Sequence, residues 1–274
     1  TSEASELIKV KLSDYIEIEC TKYHKFHIIT NIQPYIMTDN NIVEIIDAQD
    51  LKPGMKLINC KFPIIDNDNI LEDAYTYGYL MSELSGNVTD DCSFHLKYNK
   101  IDAMINLNFT EMHKIKNKGV SLNFTNYKSI IPINYSYESK KQFMKGYIDS
   151  RGIIGNDAVR LMSANIKLLK NIKYLLQTCG IDCFLNKSMG YYLIIYDIKF
   201  LKEIGIKMID RYNLKFRNIK HYYIVEDIEY TNRIDKTYCF NESIKHLGIF
   251  NGLLTGQCTE IMEVSDSKET AVCN

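Results

Sequence analysis

The first 60 residues alternate between apolar and polar positions with a period of two. Leu7-Ile8-Lys9-Val10-Lys11-Leu12 and Tyr15-Ile16-Glu17-Ile18-Glu19-Cys20 are two such runs on either side of Ser13-Asp14. Alternation of this kind puts every second side chain on one face, so it predicts two half-buried strands around a turn. His27-Ile28-Ile29 and Lys56-Leu57-Ile58 read as further strands. Lys52-Pro53-Gly54 reads as a turn, because Pro fixes one φ and Gly accepts a positive one. The period changes near Leu71. Residues 72–84 open with Glu72 and Asp73 and continue with apolar residues three and four apart, which predicts a helix. A second helix is expected over residues 140–148, ended by Arg151-Gly152. A third is expected over residues 158–177, with Leu161, Ile166, Leu169, Ile172, Leu175 and Leu176 as its apolar stripe and Gly180 just past its end. Strand-like runs lie at 104–109 and 191–196, and strand patterns return at 222–225 and 237–240. The pattern predicts a β unit interrupted by an α+β insert at 71–217 with two partly parallel halves.

Composition narrows the class. A chain of 274 residues with 46% hydrophobic and 24% charged residues is sized for about two domains with an ordinary globular core. No apolar run approaches the ~18 residues of a membrane span, so no membrane partner is expected. The eight cysteines (20, 60, 92, 179, 183, 239, 258 and 273) include no CxxC pair, which argues for reduced, intracellular thiols over zinc or a disulfide framework. The net charge of -1 hides an asymmetry: residues 111–220 hold 20 Lys/Arg against 8 Asp/Glu. So basic a segment suggests a double-stranded DNA partner, or else a lysine-rich solvated helix face. The chain opens on Thr1 and closes on Ala271-Val272-Cys273-Asn274, which reads as a piece of a longer protein.

The candidate chemistry lies at the two ends. Thr21 and His24, three residues apart at a strand end, can aim at one peptide group, the hydroxyl as hydrogen-bond donor and the imidazole to polarise or protonate a leaving nitrogen. Far downstream come Thr237-Tyr238-Cys239-Phe240, then His246, then Gly256-Gln257-Cys258. Taken in order, these blocks resemble the splicing blocks of inteins, self-excising elements with an all-β Hedgehog/intein (Hint) fold. The resemblance covers residues 1–70 and 218–257. It implies that Thr21 and His24 activate the upstream junction, that Cys239 and His246 serve the downstream one, and that Gln257-Cys258 is the junction itself. Cys258 would take over the acyl group, and the Gln257 side chain would then cut the chain before it, with no cofactor.

Three departures from the intein pattern stand out. Gln257 replaces the usual Asn, so the ring formed would be a six-membered glutarimide instead of a succinimide, and slower to close. Gly256 replaces the usual penultimate His, which leaves His246 to assist. No upstream nucleophile precedes the Thr-x-x-His block, and residues 1–27 resemble the stretch leading into it, so the first strands are expected to lie outside this chain.

Cys258-Thr259-Glu260-Ile261-Met262 and Ala271-Val272-Cys273-Asn274 resemble the active-site segment of class I ribonucleotide reductase large subunits. That implies a radical-bearing Cys258, an assisting carboxylate at Glu260 and a reducing thiol at Cys273, with flanking reductase segments as partners at 258–274. The Gln-terminated, reductase-hosted arrangement resembles that of large DNA viruses.

The insert resembles LAGLIDADG homing endonucleases. Its motifs are Tyr77-Gly78-Tyr79-Leu80-Met81-Ser82-Glu83-Leu84 and Met144-Lys145-Gly146-Tyr147-Ile148-Asp149-Ser150-Arg151-Gly152. Glu83 falls at the position that holds Mg2+ in an active member, but Arg151 occupies the second carboxylate position. Asp149 lies roughly 200° around the helix from it and is no substitute. Leu84, where Gly is usual, is expected to loosen the packing. The resemblance therefore implies a folded but inactive nuclease. Two alternatives stand beside the splicing reading: a working DNA endonuclease on a β scaffold, and an inert reductase fragment.

Overall fold

The computed structural model describes residues 4–30, 43–83, 131–155, 158–206, 222–237, 242 and 244–256, together with the backbone of 92–96, 111–115 and 119–124. The chain divides into two compact units, residues 1–62 with 218–274 and residues 63–217. The sequence placed the first boundary at 70/71 and the second at 217/218.

The first unit begins with β1 (Ala4–Leu12), a 3-10 turn at Ser13–Tyr15, β2 (Ile16–Thr21), β3 (Lys25–Ile29), β4 (Val43–Asp47) and β5 (Lys56–Ile58). The second unit holds α1 (Ala74–Glu83), β6 (Cys92–Leu96), β7 (Glu111–Ile115), β8 (Gly119–Phe124), α2 (Tyr137–Arg151), β9 (Gly152–Ile154), β10 (Val159–Ser163), α3 (Ile166–Thr178), β11 (Cys183–Lys187), β12 (Tyr191–Ile195) and α4 (Ile198–Glu203). The chain then returns to the first unit with β13 (Tyr222–Lys236), β14 (Leu247–Phe250) and β15 (Leu253–Gly256).

In the first unit these strands form one sheet in the order β14-β15-β3-β5-β13-β1-β2, with β4 on β3. Alternation on β1 drives Ile8, Val10 and Leu12 into a core completed by Ile16, Phe26, Ile28, Leu57, Tyr223, Val225 and Leu253. The opposite face of β1 carries Lys9 and Lys11, which pair with Glu19 at 3.5 Å and Glu229 at 2.8 Å. Gly54, at φ +93°, makes the Pro53-Gly54 turn, and Met55 N–H closes it on the Lys52 carbonyl at 3.1 Å.

In the second unit β11-β12-β10-β9 form one sheet and β6-β8-β7 another. Val159, Leu161, Cys183, Leu185, Leu193 and Ile195 make the buried face of the first of these, and α3 contributes the buried Leu169, Ile172, Leu175 and Leu176. Every described ladder in both units is antiparallel, against the partly parallel halves expected.

Two helix boundaries also differ from expectation. Residues 159–163 are a strand, because Val159 and Leu161 point inward while Arg160 and Met162 point out. The helix waits for Asn165, whose side chain accepts from Leu168 N–H at 3.2 Å as its cap. Glu72 and Asp73 precede α1 instead of forming its first turn, since Asp73 takes φ +52°. The expected strands at 104–109 and at 238–240, and Leu84, lie outside the described residues.

Candidate functional site

β15 lies between β14 and β3, and its register decides what surrounds its end. Leu247 of β14 pairs with Gly256, and Thr255 pairs with Phe26 of β3. His246 is the residue before Leu247, and Lys25 and His24 are the residues before Phe26. The antiparallel strand therefore carries the chain out at Gly256 toward His24 on one side and His246 on the other. A segment near residue 24 thus meets, at one strand end, two segments more than 200 residues further along the chain.

His24 sits in the tight turn between β2 and β3. Its N–H donates to the Thr21 carbonyl at 3.1 Å, and its carbonyl accepts from Ala48 N–H at 2.8 Å. The ring packs edge-on against Phe26, centroid to centroid 4.9 Å. Thr21 and His24 are both buried. Desolvation pulls the imidazole down to about 4, so at neutral pH it is uncharged. Such a ring can polarise a peptide group through hydrogen bonding but holds no surplus proton to deliver.

His246 stands exposed with φ +55°. The turn before it is organised by Glu242, whose carboxylate accepts from the N–H groups of Ile244 at 2.8 Å and Lys245 at 2.7 Å. These amide donors hold the carboxyl below the usual range.

His27 was not singled out from the sequence. Its only signal there is a second histidine three positions beyond His24, and the strand period turns the two onto opposite faces. Only the sheet order brings it to the end of β15. It lies on the same face of β3 as Lys25, and a Cβ placed on Gly256 would meet Lys25 Cβ at 2.8 Å and His27 Cε1 at 3.8 Å. The side-chain space of position 256 is thus already filled from β3. Lys25 itself is anchored by the Asp47 carboxylate across β4. Cys239, Gln257, Cys258, Glu260 and Cys273 lie outside the described residues.

In the second unit, α1 and α2 meet through two glycines. A Cβ on Gly78 would stand 1.9 Å from the Phe143 carbonyl oxygen, and one on Gly146 would stand 1.9 Å from that of Tyr75. Phe143 is three residues before Gly146 and Tyr75 three before Gly78, so the contact repeats itself with the helices exchanged. Only residues without a Cβ allow such an approach. Glu83 and Arg151 each follow their glycine by five residues and end their helices; the Glu83 side chain lies outside the described residues. A guanidinium cannot ligate a cation and repels one, so the residues at these two positions do not fit a shared Mg2+. Asp149 is engaged elsewhere, accepting from Tyr75 Oη at 3.2 Å.

Only part of the basic segment 111–220 falls among the described residues. The outer face of the β9–β12 sheet carries Arg160 beside the apolar and aromatic Ile153, Met162, Phe184 and Tyr192. Lys167 and Lys170 lie on the exposed side of α3, which is the solvated-face reading for that part. No described helix is long and apolar enough to cross a membrane.

No protein-family model matches the chain. Over its full length it is 29% identical to the ribonucleoside-diphosphate reductase large subunit of Invertebrate iridescent virus 6, and it covers 33% of that protein. Over 73% of its length it is 26% identical to the replication factor C small subunit of Pyrococcus furiosus, covering 24% of it. The chain thus spans a third or less of the curated relatives it matches. Among solved structures, it is similar to I-DmoI in complex with DNA and calcium, at 15% identity and TM-score 0.34 over 47% of this chain and 84% of that one. It is also similar to the N-terminal LAGLIDADG domain of DUF199/WhiA, at 16% identity and TM-score 0.37 over 53% and 87%.

Proposed function

We propose that this chain is an intein, a self-excising splicing element, lodged in a ribonucleotide reductase large subunit and carrying a LAGLIDADG unit that no longer cuts DNA. The observation that carries the reading is the end of β15. Gly256, the residue before Gln257-Cys258, is held between the strand that follows His24 and the strand that follows His246. The described strands of residues 1–70 and 218–257, the Hint-like portions, join in one sheet. The relatives support it from another direction. A reductase subunit and a replication factor share no activity by name, yet both match this chain, and the two matched stretches must overlap. An element that moves between hosts produces such a pattern.

The chemistry follows from placement. The Thr21 and His24 turn would polarise the upstream carbonyl, and Cys258 would receive the acyl group as thiolate. The Gln257 side-chain amide would then attack its own carbonyl and release Cys258. Each step is slow in water, so the sheet's contribution is orientation and hydrogen bonds to the tetrahedral oxyanions. The excision would restore Cys258, Glu260 and Cys273 to the host as its radical cysteine, assisting carboxylate and reducing thiol. Cys239 and His246 would serve the downstream step. The second unit would retain DNA affinity through segment 111–220.

Incubation of the chain at neutral pH, followed by intact mass spectrometry, tests this. Loss of residues 258–274 is expected, and Gln257→Ala should stop it. Equal loss from both proteins would mean ordinary proteolysis and defeat the reading.

A further inference from the structure

Strands β14 and β15 are joined by only two residues, because Phe250 and Leu253 are already ladder partners. Both residues of the turn have positive φ, Asn251 at +51° and Gly252 at +83°, which makes it a type I′ hairpin turn. We propose that this turn is a site of spontaneous modification, where Asn251 loses ammonia through a cyclic imide formed with the main-chain nitrogen of Gly252. Nothing in it depends on Gln257 or Cys258, which lie outside the described residues.

Three observations carry it. First, position 251 is the only place in the chain where Gly follows Asn. A glycine nitrogen is the least hindered attacking amide, because no Cβ stands beside it. Second, Asn251 is exposed, so water reaches its side-chain amide. Third, the backbone is one peptide flip from the reacting shape. The imide ring contains the Cα–C bond of Asn251, and it closes where Cβ and the next nitrogen eclipse about that bond, at ψ of about −120°. That is the ψ of the first central residue of a type II′ turn, whose φ is about +60°. Asn251 already has the φ, and turning over the peptide between residues 251 and 252 supplies the ψ. Gly252 accepts φ of either sign, and both turn types close a two-residue hairpin, so the Phe250–Leu253 pair stays in place. Asn232 is the contrast: it is exposed at φ +54°, but Arg233 follows it inside β13.

The step balances with water as the one other reagent. The Gly252 nitrogen forms a bond to Cγ of Asn251, the bond from Cγ to Nδ2 breaks, and the amide proton of Gly252 leaves with the side-chain nitrogen as ammonia. Water then opens the imide. Opening at Cγ gives aspartate on an unchanged backbone. Opening at the main-chain carbonyl gives isoaspartate, which routes the chain through the side chain and adds one carbon between Phe250 and Leu253. The turn is tied down on its far side by the Cys60 N–H bond to the Gly252 carbonyl at 2.7 Å and by the Asn59–Leu253 bridge. Leu253 is fully buried, so the longer turn strains the hairpin that carries Gly256.

The test incubates the full chain at mildly alkaline pH and follows the tryptic peptide that begins at His246 by mass spectrometry. Replacement of NH by O raises its mass, and isoaspartate is counted by enzymatic methylation with a labelled methyl donor. Conversion at Asn251 should be at least about tenfold faster than at Asn232, a barrier lower by about 1.4 kcal/mol. It should also be no slower in the folded chain than in the chain unfolded in guanidinium chloride. Asn251→Gly keeps a pair favoured in type I′ turns and should retain the urea midpoint while the peptide shows no conversion. Should that variant not fold, the comparison of Asn251 with Asn232 inside the wild-type chain decides. Conversion no faster than at Asn232, or slower in the folded chain than in the unfolded one, overturns the proposal, since the turn would then shield the amide.

Discussion

Replacing Gly146 with alanine tests the helix contact on which the second unit is built. The added Cβ would lie 1.9 Å from the Tyr75 carbonyl oxygen, 2.8 Å from its carbon and 2.9 Å from the Tyr79 nitrogen. Ordinary contact begins near 3.4 Å, so α1 and α2 must open by roughly 1.5 Å. All three obstacles are backbone atoms, and no rotamer change relieves them. Overpacking of this kind costs about 1–3 kcal/mol and occasionally more; alanine's better helix propensity returns at most about 1 kcal/mol. A backbone clash this close belongs at the upper end, giving a net loss of about 2–3 kcal/mol. For a unit of this size that lowers the melting temperature by roughly 4–12 °C. Circular dichroism melts of the full chain measure it, with Gly78→Ala expected to behave alike because its contact is the mirror of the first. Gly190→Ala, where a Cβ would meet only Met162 Cγ at 3.9 Å, is the control and should shift little. If Gly146→Ala melts at or above the wild-type temperature, propensity has won and the glycine-to-backbone packing is wrong.

Gly256→His should lower the stability of the first unit by about 1–3 kcal/mol, because Lys25 Cβ cannot yield as a side-chain tip would; urea unfolding reads this, and a neutral or stabilising effect would contradict the filled space. His24 gives a pH dependence with a definite sign. Its ring stays neutral in the folded protein down to about 4, whereas the unfolded chain takes up the proton below about 6.5. Its contribution is complete above the unfolded value and fades as pH falls toward 4, by up to about 3 kcal/mol. His24→Gln should flatten that part of the stability profile between pH 7 and 4, and parallel profiles for the two proteins would refute the assignment. On the proposed reading, with magnesium and a plasmid bearing the uninterrupted reductase sequence, the chain should bind without cutting, because Arg151 would stand where a second carboxylate is needed. A cut that disappears in Glu83→Gln would instead establish a working endonuclease.

The strands flanking Ser13 were legible because one face of each is core and the other is charged, so a period of two survives in the sequence. β13 was legible only at its first four residues. From Glu226 onward it is largely exposed, and an exposed strand has no burial contrast to write into its composition. Its length is instead set by β1, with register shifts at Leu7/Ile8 and Lys11/Leu12. The run 158–177 misled because Leu161 falls on the same helical stripe as Ile166 and Leu169, although it belongs to a strand; the break is announced only by Asn165. At the end of β15, the spacing of Thr21 and His24 and the position of His246 could be read from the sequence, although the role proposed for them could not be read from the fold. His27 was not legible, because its place there is a matter of which strand lies beside β3. Gly256 read as a missing histidine, whereas in the fold its bareness admits Lys25 and His27.

Ile58 on β5 faces Tyr222 on β13 as a ladder partner. Facing residues in an antiparallel pair have Cα atoms about 4.5–5.5 Å apart, so β5 ends and β13 begins at adjoining positions, with Asn59 and Cys60 still bonded to Leu253 and Gly252 as the chain leaves. A polypeptide of any length, from a short hairpin loop to a whole enzyme, can be spliced into that gap without stretching the strands on either side. Gain or loss of the passenger would then leave the host sheet geometrically indifferent, and each part free to decay or evolve at its own pace.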